Sequence, residues 1–237
     1  MQINVDLGEG GENDSIFMPY ITTCSIACGG HYGSIETIKE TIALALRYKI
    51  NVGSHPSYPD KKKFGRKSIS IKLNEFQDSI RDQLLNFKKA LSFYSTKWHH
   101  CKAHGALYND IADNGKLTDA YLEVLSDFPE INYLILPTSK PIIESAKKMN
   151  FKVLKEVFSD RKYDEVLSLI PRNNKGSIIT SSNVFLMNLK LLLDGKIQTS
   201  DGVIKNVLYD TICLHSDTLK SKEFINTIAK QINKKQL

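Results

Sequence analysis

Ile50-Asn51-Val52-Gly53-Ser54-His55-Pro56-Ser57-Tyr58-Pro59-Asp60 is the stretch from which the fold is read. The short apolar run at 50–53 predicts a strand, and it feeds straight into His55. Two prolines then hold the backbone extended, because each fixes its own φ and biases the residue before it away from helix. The loop continues through Lys61-Lys62-Lys63-Phe64-Gly65-Arg66. A strand that delivers an imidazole, two hydroxyls, a carboxylate and a guanidinium into a stiff loop has the form of a site wall. The same residues also suit a solvated connector with His55 capping the strand end. The choice depends on what the rest of the chain brings to the same place.

Outward from this stretch, strands and helices alternate. Strands are expected at 1–7, 22–28, 98–103, 131–136, 152–157 and 207–215, in addition to 50–53. Ser34 offers an N-cap to a helix whose face carries Ile35, Ile38, Ile42, Ala45 and Leu46. Asn74 is placed as the cap of a long helix with Phe76, Ile80, Leu84, Phe87, Leu91 and Tyr94 on one side. Further helices are expected from Leu107, over 117–125, after Ser139 with Pro141 in the first turn, over 184–193, and over 221–234. Residues 196–205 read as a hairpin turning at Asp201-Gly202, and 168–172 take no definite form. Alternation of this kind argues for a parallel sheet, and about seven strands in one compact chain argue for a closed or nearly closed β/α barrel. The whole chain, 1–237, is expected to be one domain.

Composition narrows the function classes. With 237 residues and a hydrophobic fraction of 41%, the chain can bury a core without disulfides or metals as staples. No apolar run approaches a membrane span, and the start has neither a basic region nor a long apolar core, so a cytoplasmic protein without a signal peptide is expected. The four cysteines (Cys24, Cys28, Cys101 and Cys213) lie in or beside strand-like runs and suit reduced, buried thiols. The net charge of +6 comes mostly from lysines on helix faces and in the tail. Lys61-Lys62-Lys63 is the only compact basic cluster and lacks interleaved aromatics, which argues against a nucleic-acid surface.

In a parallel barrel, functional side chains gather where the strands end, because those ends open on one face. The expected ends carry Asp6 and Glu9, Cys28 to His31, His55, Lys102 and His104, Glu156 with Asp160 and Arg161, and His215 with Asp217. The glycines after Asp6 do not make a phosphate loop, since no Gly-Lys-Ser/Thr follows. Singly, each residue has a structural explanation: Asp6 on loop amides, Asp217 as a helix cap, Arg161 paired with Asp160. Together, imidazoles and carboxylates at one mouth are costly to desolvate unless chemistry uses them. Such a mouth suits a divalent metal or general acid–base hydrolysis. The ligand types suit zinc, although the spacing is neither H-x-x-x-H nor H-E-x-x-H.

Six ordered elements resemble the LamB/YcsF family over almost the whole chain. They are Asp6-Leu7-Gly8-Glu9; Ile26-Ala27-Cys28-Gly29 with His31; His55 to Asp60 with Phe64-Gly65-Arg66; Lys102 with His104 to Asn109; Glu156, Phe158, Asp160, Arg161 and Tyr163; and Cys213, His215 and Asp217. The resemblance implies a seven-stranded parallel β/α barrel of the glycoside hydrolase/deacetylase type. It also implies ATP-dependent opening of the 5-oxo-L-proline lactam to L-glutamate, shared with 5-oxoprolinase subunits B and C. On that basis Asp6, His31, His55, His104, His215 and Asp217 are the expected catalytic residues, with His215 and Asp217 orienting a base or water. Glu9, Tyr58, Arg66, Lys102, Tyr108, Glu156, Asp160 and Arg161 are expected to bind substrate. A divalent metal, if held, is expected on Asp6, His31, His55 and His104. The chain departs from the family pattern at Val5, at Tyr32-Gly33-Ser34-Ile35, at Ser54 and at Ser216. Two alternatives stay open: a metal-dependent deacetylase or carbohydrate hydrolase of the same fold, and a non-catalytic member of a complex.

Overall fold

The computed structural model describes residues 2–11 and 14–235, so Met1, expected to begin the first strand, lies outside the described residues. Six parallel strands follow in order: β1 (Gln2–Leu7), β2 (Thr23–Ala27), β3 (Asn51–His55), β4 (His100–Lys102), β5 (Tyr133–Pro137) and β6 (Val153–Phe158). An antiparallel hairpin, β7 (Lys196–Gln198) and β8 (Ile204–Asn206), stands apart from them. The last strand, β9 (Thr211–His215), pairs with β6 on one side and β1 on the other, which closes a seven-stranded barrel. Around it lie α1 (Asp14–Phe17), α2 (Ile35–Arg47), α3 (Leu73–Leu91), α4 (Gly105–Asp113), α5 (Gly115–Ser126), α6 (Lys140–Lys148), α7 (Ser182–Leu193) and α8 (Ser221–Lys235). Among the described residues, no helix is long and apolar enough to cross a membrane.

Local signals explain most boundaries. Ser34 caps α2 through a reciprocal box with Thr37, as its position before the apolar stripe predicts. The cap expected at Asn74 does not form. Helix α3 begins at Leu73 after Lys72, with no side-chain cap, and the Phe76 amide already donates to the Lys72 carbonyl. Docking of Phe76 and Ile80, both fully buried, outweighs a cap worth about 1 kcal/mol. The last barrel strand begins at Thr211 rather than 207, because the Val207 amide is taken by the Gly195 carbonyl beside the hairpin. Strand β3 runs on through His55, which places that imidazole on the strand and not in the loop. The four thiols are free and buried.

Alternate residues of each strand face the lumen, and here the lumen is polar. Ser25 on β2 and His100 on β4 meet there, Oγ to Nε2 at 3.0 Å, across Gly53 of the intervening strand. Gly53 makes this possible. A Cβ at that position would lie 2.5 Å from the His100 ring and 2.4 Å from its carbonyl oxygen.

Burial holds the His100 imidazole well below its ordinary pKa of 6.5, with like charge from His99 in the same direction. The unfolded chain therefore takes a proton on this residue below pH 6.5 while the native chain does not. Stability falls as pH falls through that value, and the contribution is fully present above it. Thermal melts of the wild type are expected to lose midpoint steadily from pH 7 to pH 5, and His100→Asn to flatten that slope. An unchanged slope in the variant would show that His100 does not carry the effect.

Candidate active site

The polar centre of the barrel is built on Lys102. Its Nζ, buried at 1% exposure, lies 2.9 Å from Asp6 Oδ1, 3.1 Å from Asn4 Oδ1, 3.2 Å from Cys213 Sγ and 2.8 Å from Glu156 Oε1. Four strands contribute: β1 through Asn4 and Asp6, β4, β6 and β9. The Glu156 contact is an ion pair by distance, without the alignment of a hydrogen bond to either carboxylate oxygen. Burial pushes the ammonium toward neutrality, but Asp6, Cys213 and Glu156 outweigh it and hold Lys102 charged, well above its ordinary range. The same opposition acts on Asp6: burial raises its pKa, and His55 with Lys102 bring it well below the usual carboxylate range. Ser216, a departure from the family pattern, donates its Oγ to the Asp6 carbonyl at 2.9 Å and so ties β9 to β1 at the mouth.

Beside this centre, three imidazoles surround Glu9. His31 Nε2 lies 2.9 Å from Glu9 Oε1, and the His31 ring stacks on His104 with centroids 3.7 Å apart. Burial, then repulsion from His104, lowers the His31 pKa to about 4, so the ring is neutral and donates to Glu9. His55 Nδ1 is 2.8 Å from the Lys102 carbonyl, and His104 Nε2 is 3.0 Å from the Phe64 carbonyl. A carbonyl can only accept, so both of these nitrogens carry their protons. The remaining nitrogens, His55 Nε2 and His104 Nδ1, face each other at 3.0 Å; Glu9 Oε1 lies 3.8 Å and 3.1 Å from them, and Asp6 Oδ2 lies 3.3 Å from His55 Nε2. Two ring nitrogens facing each other beside two carboxylates need a shared proton or a cation between them.

Glu9, His55 and His104 form a group whose ligand atoms all lie within 4.8 Å of one another. A metal-bound histidine commonly donates its far ring nitrogen to a backbone carbonyl, as both of these do, and the donor set fits zinc or a similar divalent ion. Compared with the expected metal set, the geometry retains His55 and His104 and brings in Glu9. Asp6 is instead held by Lys102, and His31 serves as the donor to Glu9.

Above the cluster lies a cavity of about 880 Å³, walled by Asp6, Lys102, His104, Tyr108, Arg161, His215 and Asp217 among others. His215 Nδ1 is 3.0 and 3.1 Å from the two oxygens of Asp160, which also accepts from Thr218. His215 thus forms a dyad with Asp160 rather than acting together with Asp217, because Asp160 stands two residues beyond the end of β6, beside β9. Asp217 sits further out and pairs with Arg66 and with Arg172. Tyr58, expected at the substrate, is buried away from the cavity and braces the loop by donating to Asp110 at 2.8 Å. Tyr108 lines the cavity, while Glu156 lies behind Lys102. Burial, then the Glu156 charge, keeps the Tyr108 hydroxyl protonated. Lys63, read as part of a solvated run, reaches the cavity rim.

Two contributors escaped the sequence. Arg172 lies in the stretch that takes no definite form, and no motif surrounds it. Asn4 sits two residues before Asp6, and its strand alternation would have placed both in the lumen.

Comparison with known proteins bears on the family and the fold. The LamB/YcsF family profile matches residues 1–237. A protein from Staphylococcus epidermidis, named as the A subunit of 5-oxoprolinase, is 32% identical over 240 residues, spanning 99% of this chain and 95% of that one. The crystal structure of a lactam utilization protein from Thermus thermophilus superposes with a TM-score of 0.90 at 27% identity, covering 100% of this chain and 97% of that one. A GH18 chitinase from Pseudoalteromonas aurantia, at 11% identity and a TM-score of 0.50 over 97% and 99% of the two chains, shares the barrel alone. With a profile that spans every residue, the chain belongs to the LamB/YcsF family.

Proposed function

We propose that this protein is the A subunit of an ATP-dependent 5-oxoprolinase, a hydrolase that opens a cyclic amide in complex with subunits B and C. The observation that carries this is the His215–Asp160 dyad beside the Glu9, His55 and His104 cluster, under one cationic cavity. A lactam carbonyl is a poor electrophile, and phosphoryl transfer from ATP to its oxygen within the complex activates it. Water then adds to that carbon and gives up a proton, and the C–N bond breaks as the ring nitrogen takes one up. The acyl phosphate so formed is hydrolysed by a second water to glutamate and phosphate.

His215 is the base for water, with Asp160 holding its Nδ1–H so that Nε2 is presented as acceptor. Glu9, His55 and His104 would hold a divalent ion, which when bound would supply Lewis-acid stabilisation of developing negative charge. Lys102 keeps Asp6 ionised and in place. Four free, buried thiols support a reducing, cytoplasmic site of action.

The test is reconstitution. Purified chain mixed with subunits B and C, ATP and 5-oxo-L-proline is expected to release glutamate. An assembled complex that makes none would sink the proposal. Zinc bound at one per chain, together with deacetylation of acetylated sugars, would favour the carbohydrate hydrolase instead.

A further inference from the structure

The cavity wall holds six cationic side chains against three carboxylates, Asp6, Asp110 and Asp217. Two of those carboxylates are spoken for: Asp6 by Lys102, and Asp110 by the hydroxyls of Tyr58 and Ser68. Asp217 is shared between two guanidiniums, contacting Arg66 and lying 3.1 Å and 3.3 Å from Arg172. Arg161, at 4% exposure, has no carboxylate partner among the described residues. Its Nη2 donates to the Ile170 carbonyl at 2.5 Å, and the adjacent Asp160 is committed to His215 and Thr218. The Nε atoms of both Arg161 and Arg172 are buried without a hydrogen-bond partner. Burial, then the nearby Arg172 charge, lowers the Arg161 pKa to about 10, which still leaves it charged at neutral pH. Two neighbouring guanidiniums with unused donors, one of them lacking a counter-ion, are costly unless an anion completes them.

We propose that Arg161 and Arg172 form an anion subsite of this cavity, which Asp217 screens in the free protein and yields to a carboxylate or phosphate group of the ligand. The guanidinium fork matches either group bidentately. Only the naming of the ligand rests on the lactam reading: the anion would be the ring carboxylate of 5-oxo-L-proline or the phosphoryl group of its activated form.

The experiment is calorimetric titration of the purified full chain, without ATP or partner subunits. Inorganic phosphate and 5-oxo-L-proline are the two probes, and wild type, Arg161→Gln, Arg172→Gln and Asp217→Asn are the proteins. Each glutamine variant is expected to weaken binding of the recognised anion about tenfold or more, since a hydrogen bond to a charged group is worth at least that factor. Asp217→Asn is expected to tighten the same anion severalfold, a gain that misfolding cannot imitate. Loss confined to 5-oxo-L-proline identifies the carboxylate as the ligand group, loss confined to phosphate identifies the phosphoryl group, and loss of both shows a subsite that takes either. The subsite is overturned if the wild type binds neither probe, if both glutamine variants stay within about twofold of wild type, or if Asp217→Asn brings no gain. Intact anion binding beside a failed glutamate assay would count against the proposed function and leave the subsite standing.

Discussion

Replacing His215 by alanine is expected to lower glutamate formation by the reconstituted complex about a thousandfold, through kcat and with little change in KM. The imidazole lines the cavity, and its Nδ1 is fixed by both oxygens of a fully buried carboxylate. A ring held this way presents one defined nitrogen to a bound water, and removing it takes away the proton acceptor and nothing that binds the ground state. Asp160→Asn tests the positioning of the ring: the amide keeps the shape but offers only one oxygen as acceptor, so the ring loses part of its hold. A fall in kcat approaching that of His215→Ala, with the fold intact by circular dichroism, is the expected outcome. Full activity of either variant in an assembled complex would remove the dyad from the mechanism and favour a non-catalytic role for this chain.

The second large effect is on stability. Lys102→Met is expected to cost about 3–5 kcal/mol, read as a drop of roughly 10 °C in melting temperature or a lowered urea midpoint. The reason is not the ion pair's own worth, since burying three charges is expensive to begin with. Removing the one ammonium leaves Asp6 and Glu156 in the lumen with no cation between them, both almost fully buried. Neutralising a second member should restore part of the loss, so Lys102→Met with Glu156→Gln is expected to be more stable than Lys102→Met alone. A single variant within about 1 kcal/mol of wild type would mean that the lumen tolerates two carboxylates, by protonation or by entry of water, and that Lys102 is not its keystone.

The two effects separate the functions of neighbouring layers. One layer, with Lys102, Asp6, Asn4, Glu156 and Cys213, fixes the charge state and spacing of the barrel interior. The other layer, with Glu9, His55 and His104, gathers ligand atoms within 4.8 Å of one another, and His104 lines the cavity together with His215. Gly105 lets these layers meet the loop after β3. It has a φ of +59°, and a Cβ there would lie 2.5 Å from the Gly65 carbonyl oxygen, so the backbone beside His104 packs directly on the loop whose Phe64 carbonyl orients that ring.

By itself, the sequence determined the barrel, its count of about seven strands and the polar residues at most of the strand ends. Those features are written locally: apolar runs of strand length, amphipathic helices between them, and polar residues placed just where each strand ends. His55 illustrates the limit. Its place at a strand end was legible, but the orientation of its ring depends on the Lys102 carbonyl of the next strand, which accepts from its Nδ1. Partner choice was likewise invisible. Asp217 stands two residues from His215, yet the imidazole takes Asp160 from the neighbouring strand end, and Asp217 takes two arginines from other loops. Arg172 had no local signature because its role comes from the long connection after β6 folding back over the mouth. Strand alternation and capping act over a few residues and can be read along the chain, whereas hydrogen-bond direction and charge pairing are set by atoms that only closure of the barrel brings within about 3 Å of each other.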